Sequence, residues 1–199
     1  MNTKTSALRA RLDQPGLVVV PGVFDTVSLR LADSFGFDAL YMTGYGTVAS
    51  HMRLPDAGLA TYSDMVGRVT AMAGMARTPL MADGDTGYGG LLNMRHTVRG
   101  YEAAGACAIQ LEDQEFPKKC GHTPGLTRPE LEALGYKIAI FPVTALLASV
   151  QSMTQVYQQF KDTGSSAAGQ TALYDFADLT KLMGFEDVWA FEKRYAETE

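Results

Sequence analysis

The feature that most constrains the fold is a repeated pairing of a short apolar run with acidic residues at its end. Residues 79–82 run into Asp83-Gly-Asp85, and residues 107–111 run into Glu112-Asp113. Between them, residues 93–104 carry a helical pattern, with Gly105 placed to end it. Strand, helix, strand in that order is a βαβ unit with parallel strands. Ligands of such units gather at the carboxyl ends of the strands, and in a barrel that face holds the active site. Asp83, Asp85 and Glu112 are therefore expected to converge, and three carboxylates at one point repel one another unless a cation sits among them. Mg²⁺, with Mn²⁺ as the alternative, suits such a site because it takes oxygen ligands, only one or two carboxylates directly, and water and substrate for the rest.

Three more apolar runs, residues 17–20, 39–43 and 137–141, bring the expected strands to five. A short amphipathic helix is expected over residues 5–12. Asp25 is placed to cap a helix running to Ser34, Thr61 to Ala76 read as a further helix, and Thr127-Arg-Pro-Glu130 as a capping box with proline just inside the helix start. Residues 51–60 read as a loop. Helical stretches follow over 143–160, 174–183 and 185–195, separated by a polar, glycine- and serine-rich linker at 162–169. The methionines of residues 61–76 read as core filling.

The 199 residues suit one domain with a real core. A formal net charge of −5 without a concentrated basic patch gives no reason to expect a nucleic-acid partner. Two cysteines far apart in sequence favour a reducing compartment over a disulfide framework. Residues 1–15 lack an apolar core, so they do not read as a signal peptide, and no run approaches a membrane span. A cytoplasmic protein without a membrane partner is expected.

The two cysteines read differently. Cys107, inside the fourth strand, reads as a buried, inert residue. Cys120 lies in Lys118-Lys-Cys-Gly-His122, where neighbouring cations favour a thiolate and Gly121 and Gly125 allow the loop to open and close. His122 is expected to tune that thiol or bind a carboxylate, since no second histidine stands at metal-ligand spacing. Thr43-Gly-Tyr-Gly46 follows the second strand, and its backbone N–H groups are candidates to meet a substrate carboxylate, with an ordinary glycine turn as the alternative. Asp56, after proline, reads by itself as a turn residue.

Together, Thr43-Gly-Tyr-Gly46, Leu54-Pro-Asp56, Asp83-Gly-Asp-Thr-Gly-Tyr-Gly89, Leu111-Glu-Asp113 and Lys118-Lys-Cys-Gly-His122 resemble, in this order and spacing, the isocitrate lyase and phosphoenolpyruvate mutase superfamily. The last motif resembles the branch of isocitrate, 2-methylisocitrate and dimethylmalate lyases. The resemblance implies a TIM-barrel-type α/β fold and Mg²⁺-dependent cleavage of a carbon–carbon bond in a 2-hydroxy di- or tricarboxylate. Asp85, Asp83 and Glu112 would hold the metal and Asp56 would support it or the substrate. Thr43, Gly44 and Tyr45 would bind substrate, Tyr41 would assist at its hydroxyl, and Cys120, with Lys118 and His122, would protonate the departing carbanion. A homo-oligomer is implied, tetrameric in the family with an exchanged C-terminal helix for which Trp189 and Phe191 are candidates. The alternatives are an oxaloacetate-type decarboxylase or hydrolase on the same metal site, and a non-catalytic shortened paralogue assembling with a full-length one.

The chain departs from that family in one large respect. A closed (β/α)₈ barrel needs eight strands, and here residues 137–141 resemble the last strand rather than the fifth. The segments for strands five to seven are absent. The expected organisation is a single domain over 1–199, with the metal site and catalytic loop in 1–125, the last strand and its helix in 126–160, and a helical tail in 161–199. Two sheet edges are left uncovered, which soluble proteins avoid.

Overall fold

The structure, a computed structural model, describes residues 3–113, 125–166 and 171–195. Its elements are, in order, α1 (Thr3–Leu12), β1 (Val18–Val23), α2 (Thr26–Asp33), β2 (Leu40–Met42), α3 (Gly44–Met52), α4 (Tyr62–Met75) and β3 (Leu80–Asp83). They continue as α5 (Leu91–Ala103), β4 (Ala108–Gln110), α6 (Arg128–Ala133), β5 (Ile138–Phe141), α7 (Thr144–Thr163), α8 (Phe176–Leu182) and α9 (Phe185–Tyr195). All five expected strands form. They pair in parallel in the order β4-β3-β2-β1-β5, so β5 lies beside β1, where the last strand of a closed barrel belongs. The result is a parallel half-barrel sheet, the shortened TIM-barrel-type α/β fold that the sequence implied.

Strand alternation divides the core into two faces. Leu40, Met42, Leu80 and Ala82 point to the outer face and pack with Leu29 of α2, Met65, Val69 and Met72 of α4, and Tyr101 of α5. Val18, Val20, Tyr41 and Met81 point to the inner face and pack with Ala108, Ile138 and Ile140. Leu8 of α1, 3% exposed, closes that inner face. Register then sets the polar tips: Tyr41 stands beside Met81, and Asp83 beside Gln110.

The helix starts follow their capping chemistry. The Asp25 side chain accepts from the Ser28 N–H at 2.7 Å, Thr61 pairs reciprocally with Asp64, and Thr127 with Glu130. One expectation changes. Thr43-Gly-Tyr-Gly46 is not a free turn but the start of α3, capped by Thr43, and the loop begins only after Met52. The glycines cost helix propensity but let α3 approach closely: a Cβ on Gly44 would sit 2.7 Å from an Asp83 oxygen, and one on Gly46 2.6 Å from Phe24 Cβ.

The chain divides into two compact units, Met1–Leu147 and Ala148–Glu199. The first contains the sheet and both core clusters. In the second, α8 and α9 have no buried residue. No helix among the described residues is long and apolar enough to cross a membrane.

Candidate active site

β3 ends on Asp83, and the chain then turns through Gly84 to Tyr88. Asp85 and Tyr88 sit at φ 51° and 58°, in the left-handed region that non-glycine residues seldom occupy. Such strain persists where neighbouring contacts hold it, and here they are several. Gly84 N–H donates to the Gln110 carbonyl at 2.8 Å, Glu112 N–H to the Asp85 carbonyl at 2.8 Å, and the Tyr101 hydroxyl to the Asp83 carbonyl at 3.1 Å. The Thr97 hydroxyl donates to the Gly87 carbonyl at 3.1 Å, and the Tyr88 and Tyr101 hydroxyls lie 2.9 Å apart.

The Asp83 carboxylate is fully engaged. One oxygen accepts from the Tyr41 hydroxyl at 2.7 Å and from Gly44 N–H at 2.9 Å, and the other from Asp85 N–H at 3.0 Å. The Tyr41 hydroxyl also abuts the Gln110 side-chain oxygen, and Gln110 Nε2 donates to Glu112 Oε1 at 2.8 Å. A polar network thus crosses β2, β3 and β4 at their carboxyl ends.

Asp56, Asp83, Asp85 and Glu112 line one small cavity of about 20 Å³, together with Gly44, Met65 and Tyr88. That volume holds about one water-sized occupant. Among the described residues no cationic side chain lines it, and the carboxylates feel one another. Burial, with Asp83 and Asp56 nearby, pushes the Asp85 pKa from 3.8 up to about 6. Burial, Asp83 and Glu112 raise that of Asp56. Burial and then the Asp83 charge raise Tyr41 far above its usual range, so it remains a protonated donor.

Among the described residues, no three of His, Cys, Asp and Glu close on a single metal position. At Asp83 both oxygens already accept from protein donors. Asp85 and Glu112 each keep an oxygen that receives no hydrogen bond from the described residues. Two direct carboxylates, with others reached through water, is how Mg²⁺ is usually held. Oxygen donors, space for one small occupant and the negative charge of four carboxylates all fit that ion.

Of the residues singled out in the sequence, Tyr41, Gly44, Asp56, Asp83, Asp85 and Glu112 come together. Two do not line this cavity: Thr43 is buried with its hydroxyl accepting from Gly46 N–H at 3.4 Å, and Tyr45 is 48% exposed. The Gly44 N–H, expected to meet substrate, is spent on Asp83. Cys120, His122 and Lys118 lie outside the described residues. Cys107 is half-buried, one residue before β4. Sequence reasoning missed Gln110, Tyr88 and Tyr101. Gln110 left a signal, being a polar residue two before Glu112 within an apolar strand.

Residues 8–139 match the phosphoenolpyruvate phosphomutase family. The chain is 29% identical to 2,3-dimethylmalate lyase of Eubacterium barkeri, in an alignment covering 98% of this chain and 99% of that one. That alignment runs over 287 positions against 199 residues here, so the relative carries internal segments that this chain lacks. Over 62% of this chain it is 42% identical to 2-methylisocitrate lyase of Aeropyrum pernix, and that stretch spans only 40% of the relative. The fold is also that of a crystal structure of 2,3-dimethylmalate lyase, with a TM-score of 0.84 at 24% identity, covering 100% of this chain and 99% of the other. With its carboxylates at the ends of β3 and β4 and a family match across most of its length, the chain belongs to the phosphoenolpyruvate mutase and isocitrate lyase superfamily of enzymes.

Proposed function

We propose that the chain is a Mg²⁺-dependent carbon–carbon lyase acting on a 2-hydroxy di- or tricarboxylate and releasing a 2-oxo acid and a second carboxylate. The observation that carries this reading is the cavity sized for a single small occupant and lined by Asp56, Asp83, Asp85 and Glu112, with no cationic side chain among the described residues that line it. The named lyases among its relatives support the reaction class.

Asp85 and Glu112 would hold the ion directly, with Asp83 and Asp56 acting through water. When bound, Mg²⁺ supplies electrostatic stabilisation for negative charge developing on the substrate's oxygens. Tyr41 and Gly44 hold the Asp83 carboxylate in place, because both donate to the same oxygen. Gln110 orients Glu112 by donating to one of its oxygens. Cys120 is the proposed acid: its thiol would give a proton to the carbanion left by cleavage, Lys118 and His122 would stabilise the resulting thiolate, and solvent would reprotonate it before the next turnover. The exposed aromatic residues of α9, Trp189 and Phe191, support a homo-oligomeric state.

The test has two parts. Mg²⁺ titrated into the metal-free chain is expected to raise its unfolding temperature. A panel of 2-hydroxy di- and tricarboxylates is then expected to yield 2-oxo acid only with Mg²⁺ and the wild-type Cys120. Full turnover by a Cys120→Ser variant would remove the assigned acid, and a Mg²⁺-independent melting curve would remove the metal site.

A further inference from the structure

Asn93, Thr97 and Tyr101 of α5 stand at successive i, i+4 positions and so form a single stripe on one face of the helix. Each donates to a main-chain carbonyl of the segment that carries the site carboxylates. Asn93 Nδ2 donates to the Tyr88 carbonyl at 3.1 Å, the Thr97 hydroxyl to the Gly87 carbonyl at 3.1 Å, and the Tyr101 hydroxyl to the Asp83 carbonyl at 3.1 Å. Because the Tyr101 proton is committed to Asp83, the 2.9 Å contact between the two tyrosine hydroxyls takes its proton from Tyr88. The Tyr88 ring, a wall of the carboxylate cavity, is thereby tied to the same stripe.

The helix does not need these bonds for itself. A threonine inside a helix commonly turns its hydroxyl back to the carbonyl four residues earlier. Thr70, Thr154, Thr163 and Thr180 do so, at 2.7–2.9 Å. Thr97, 1% exposed, instead spends its hydroxyl on Gly87, outside the helix. The Tyr101 ring packs in the outer core, and a phenylalanine ring would fill the same place. What the hydroxyls act on is the turn after β3, where Asp85 and Tyr88 hold φ 51° and 58°. The β4 main chain grips the middle of that turn at Gly84 and Asp85, and the stripe grips the residues on either side, Asp83, Gly87 and Tyr88. Released on the α5 side, the strained turn would relax, and the Asp85 carboxylate would move with its backbone.

Resting on the metal-site reading above, we infer that Thr97 and Tyr101 are positioning residues: by fixing the flanks of the left-handed turn they aim Asp85, and so set the affinity of the site for Mg²⁺. Their hydroxyls serve metal binding more than folding.

The experiment is calorimetric titration of Mg²⁺ into the metal-free full chain, with melting curves alongside, for wild type, Tyr101→Phe, Thr97→Val, Thr97→Ser and Val69→Ala. Val69 is buried in the outer cluster on α4, so its truncation measures what lost stability alone does to the site. Tyr101→Phe and Thr97→Val are each expected to weaken Mg²⁺ binding by about tenfold, the low end for a group that supports a metal ligand. Thr97→Ser, which keeps the hydroxyl, and Val69→Ala, which lowers the melting temperature, are both expected to stay within about twofold of wild type. The Thr97 pair decides the matter if Tyr101→Phe does not fold. Tyr101→Phe and Thr97→Val binding Mg²⁺ as well as Val69→Ala does, or Thr97→Ser binding as weakly as Thr97→Val, overturns this inference and leaves the metal site standing. No Mg²⁺ binding by the folded wild type overturns both.

Discussion

The two units of the chain are built from equally good helices but differ in what those helices do. In Met1–Leu147, most helices have a face to bury: α2, α4 and α5 cover the outer side of the sheet and α1 closes the inner side, while α6 has no buried residue. In Ala148–Glu199, Val150, Met153, Tyr157 and Phe160 form a helical stripe, and each is between 43% and 65% exposed. α9 likewise exposes Phe185, Val188, Trp189, Phe191 and Tyr195. Amphipathic pattern and caps are enough to make a helix, but a core needs a second surface, and among the described residues both core clusters lie in the first unit.

The first unit also concentrates the chemistry, and the largest expected effect lies there. Asp85→Ala removes an ordinary-length carboxylate from a cavity with room for about one occupant, and should lower Mg²⁺ affinity by about 100-fold or more, with 2-oxo acid release falling in step. The same change should raise the unfolding temperature of the metal-free chain, since Asp85 is half-buried beside Asp83 and Asp56. Calorimetric Mg²⁺ titration and melting curves check the two halves. A variant that lost metal affinity without gaining metal-free stability would show that the carboxylates do not strain one another.

Next in size is the core itself. Leu40 is fully buried on the outer face, so Leu40→Ala should cost about 2–5 kcal/mol in urea unfolding. A cost below about 1 kcal/mol would mean that the outer cluster is as loosely covered as the second unit, and the contrast between the two would fail.

A pH series sharpens the account of the site. Metal-free, the folded chain holds the Asp85 proton up to about pH 6, whereas the unfolded chain releases it near 3.8. The folded state therefore binds more protons between those values, and stability should fall as pH rises through that window, then level off. With Mg²⁺ the trend should reverse, because the ion competes for the ionised carboxylate and its stabilisation grows as pH rises through about 6. Melting temperatures from pH 4.5 to 7.5, with and without Mg²⁺, distinguish the two slopes. Asp85→Asn should flatten the metal-free trend.

What was legible in the sequence follows the same division. The strands were legible because apolar runs ended in acidic or glycine-rich turns, and the carboxylate positions because strand ends fix them. The fate of Thr43-Gly-Tyr-Gly46 was not, because whether glycines make a turn or a close-packed helix start depends on Asp83 and Phe24, far away in sequence. Tyr101 was hidden similarly: on α5 it reads as one more apolar residue, and only packing places its hydroxyl under the Asp83 carbonyl. In α7 the stripe was legible, while nothing in a stripe says what will cover it.

The smallest expected effect tests the second unit directly. Trp189 is 50% exposed and its ring lies 6.0 Å from that of Phe185. A tilted aromatic pair at that distance contributes about 0.5–1.5 kcal/mol, and half-exposure places Trp189→Ala near the low end, about 0.5 kcal/mol, in dilute chain. Association changes the arithmetic, because a tryptophan buried between copies is the kind of residue on which an interface depends. If the chain is the proposed homo-oligomer with α9 at its contact, the variant should unfold almost as wild type at low concentration. Its sedimentation should shift toward the monomer where wild type is assembled, and the concentration dependence of its melting temperature should shrink. If Trp189→Ala instead costs as much as Leu40→Ala in dilute solution, with assembly unchanged, then α9 has a covering surface within its own chain. The second unit would then share the physical basis of the first.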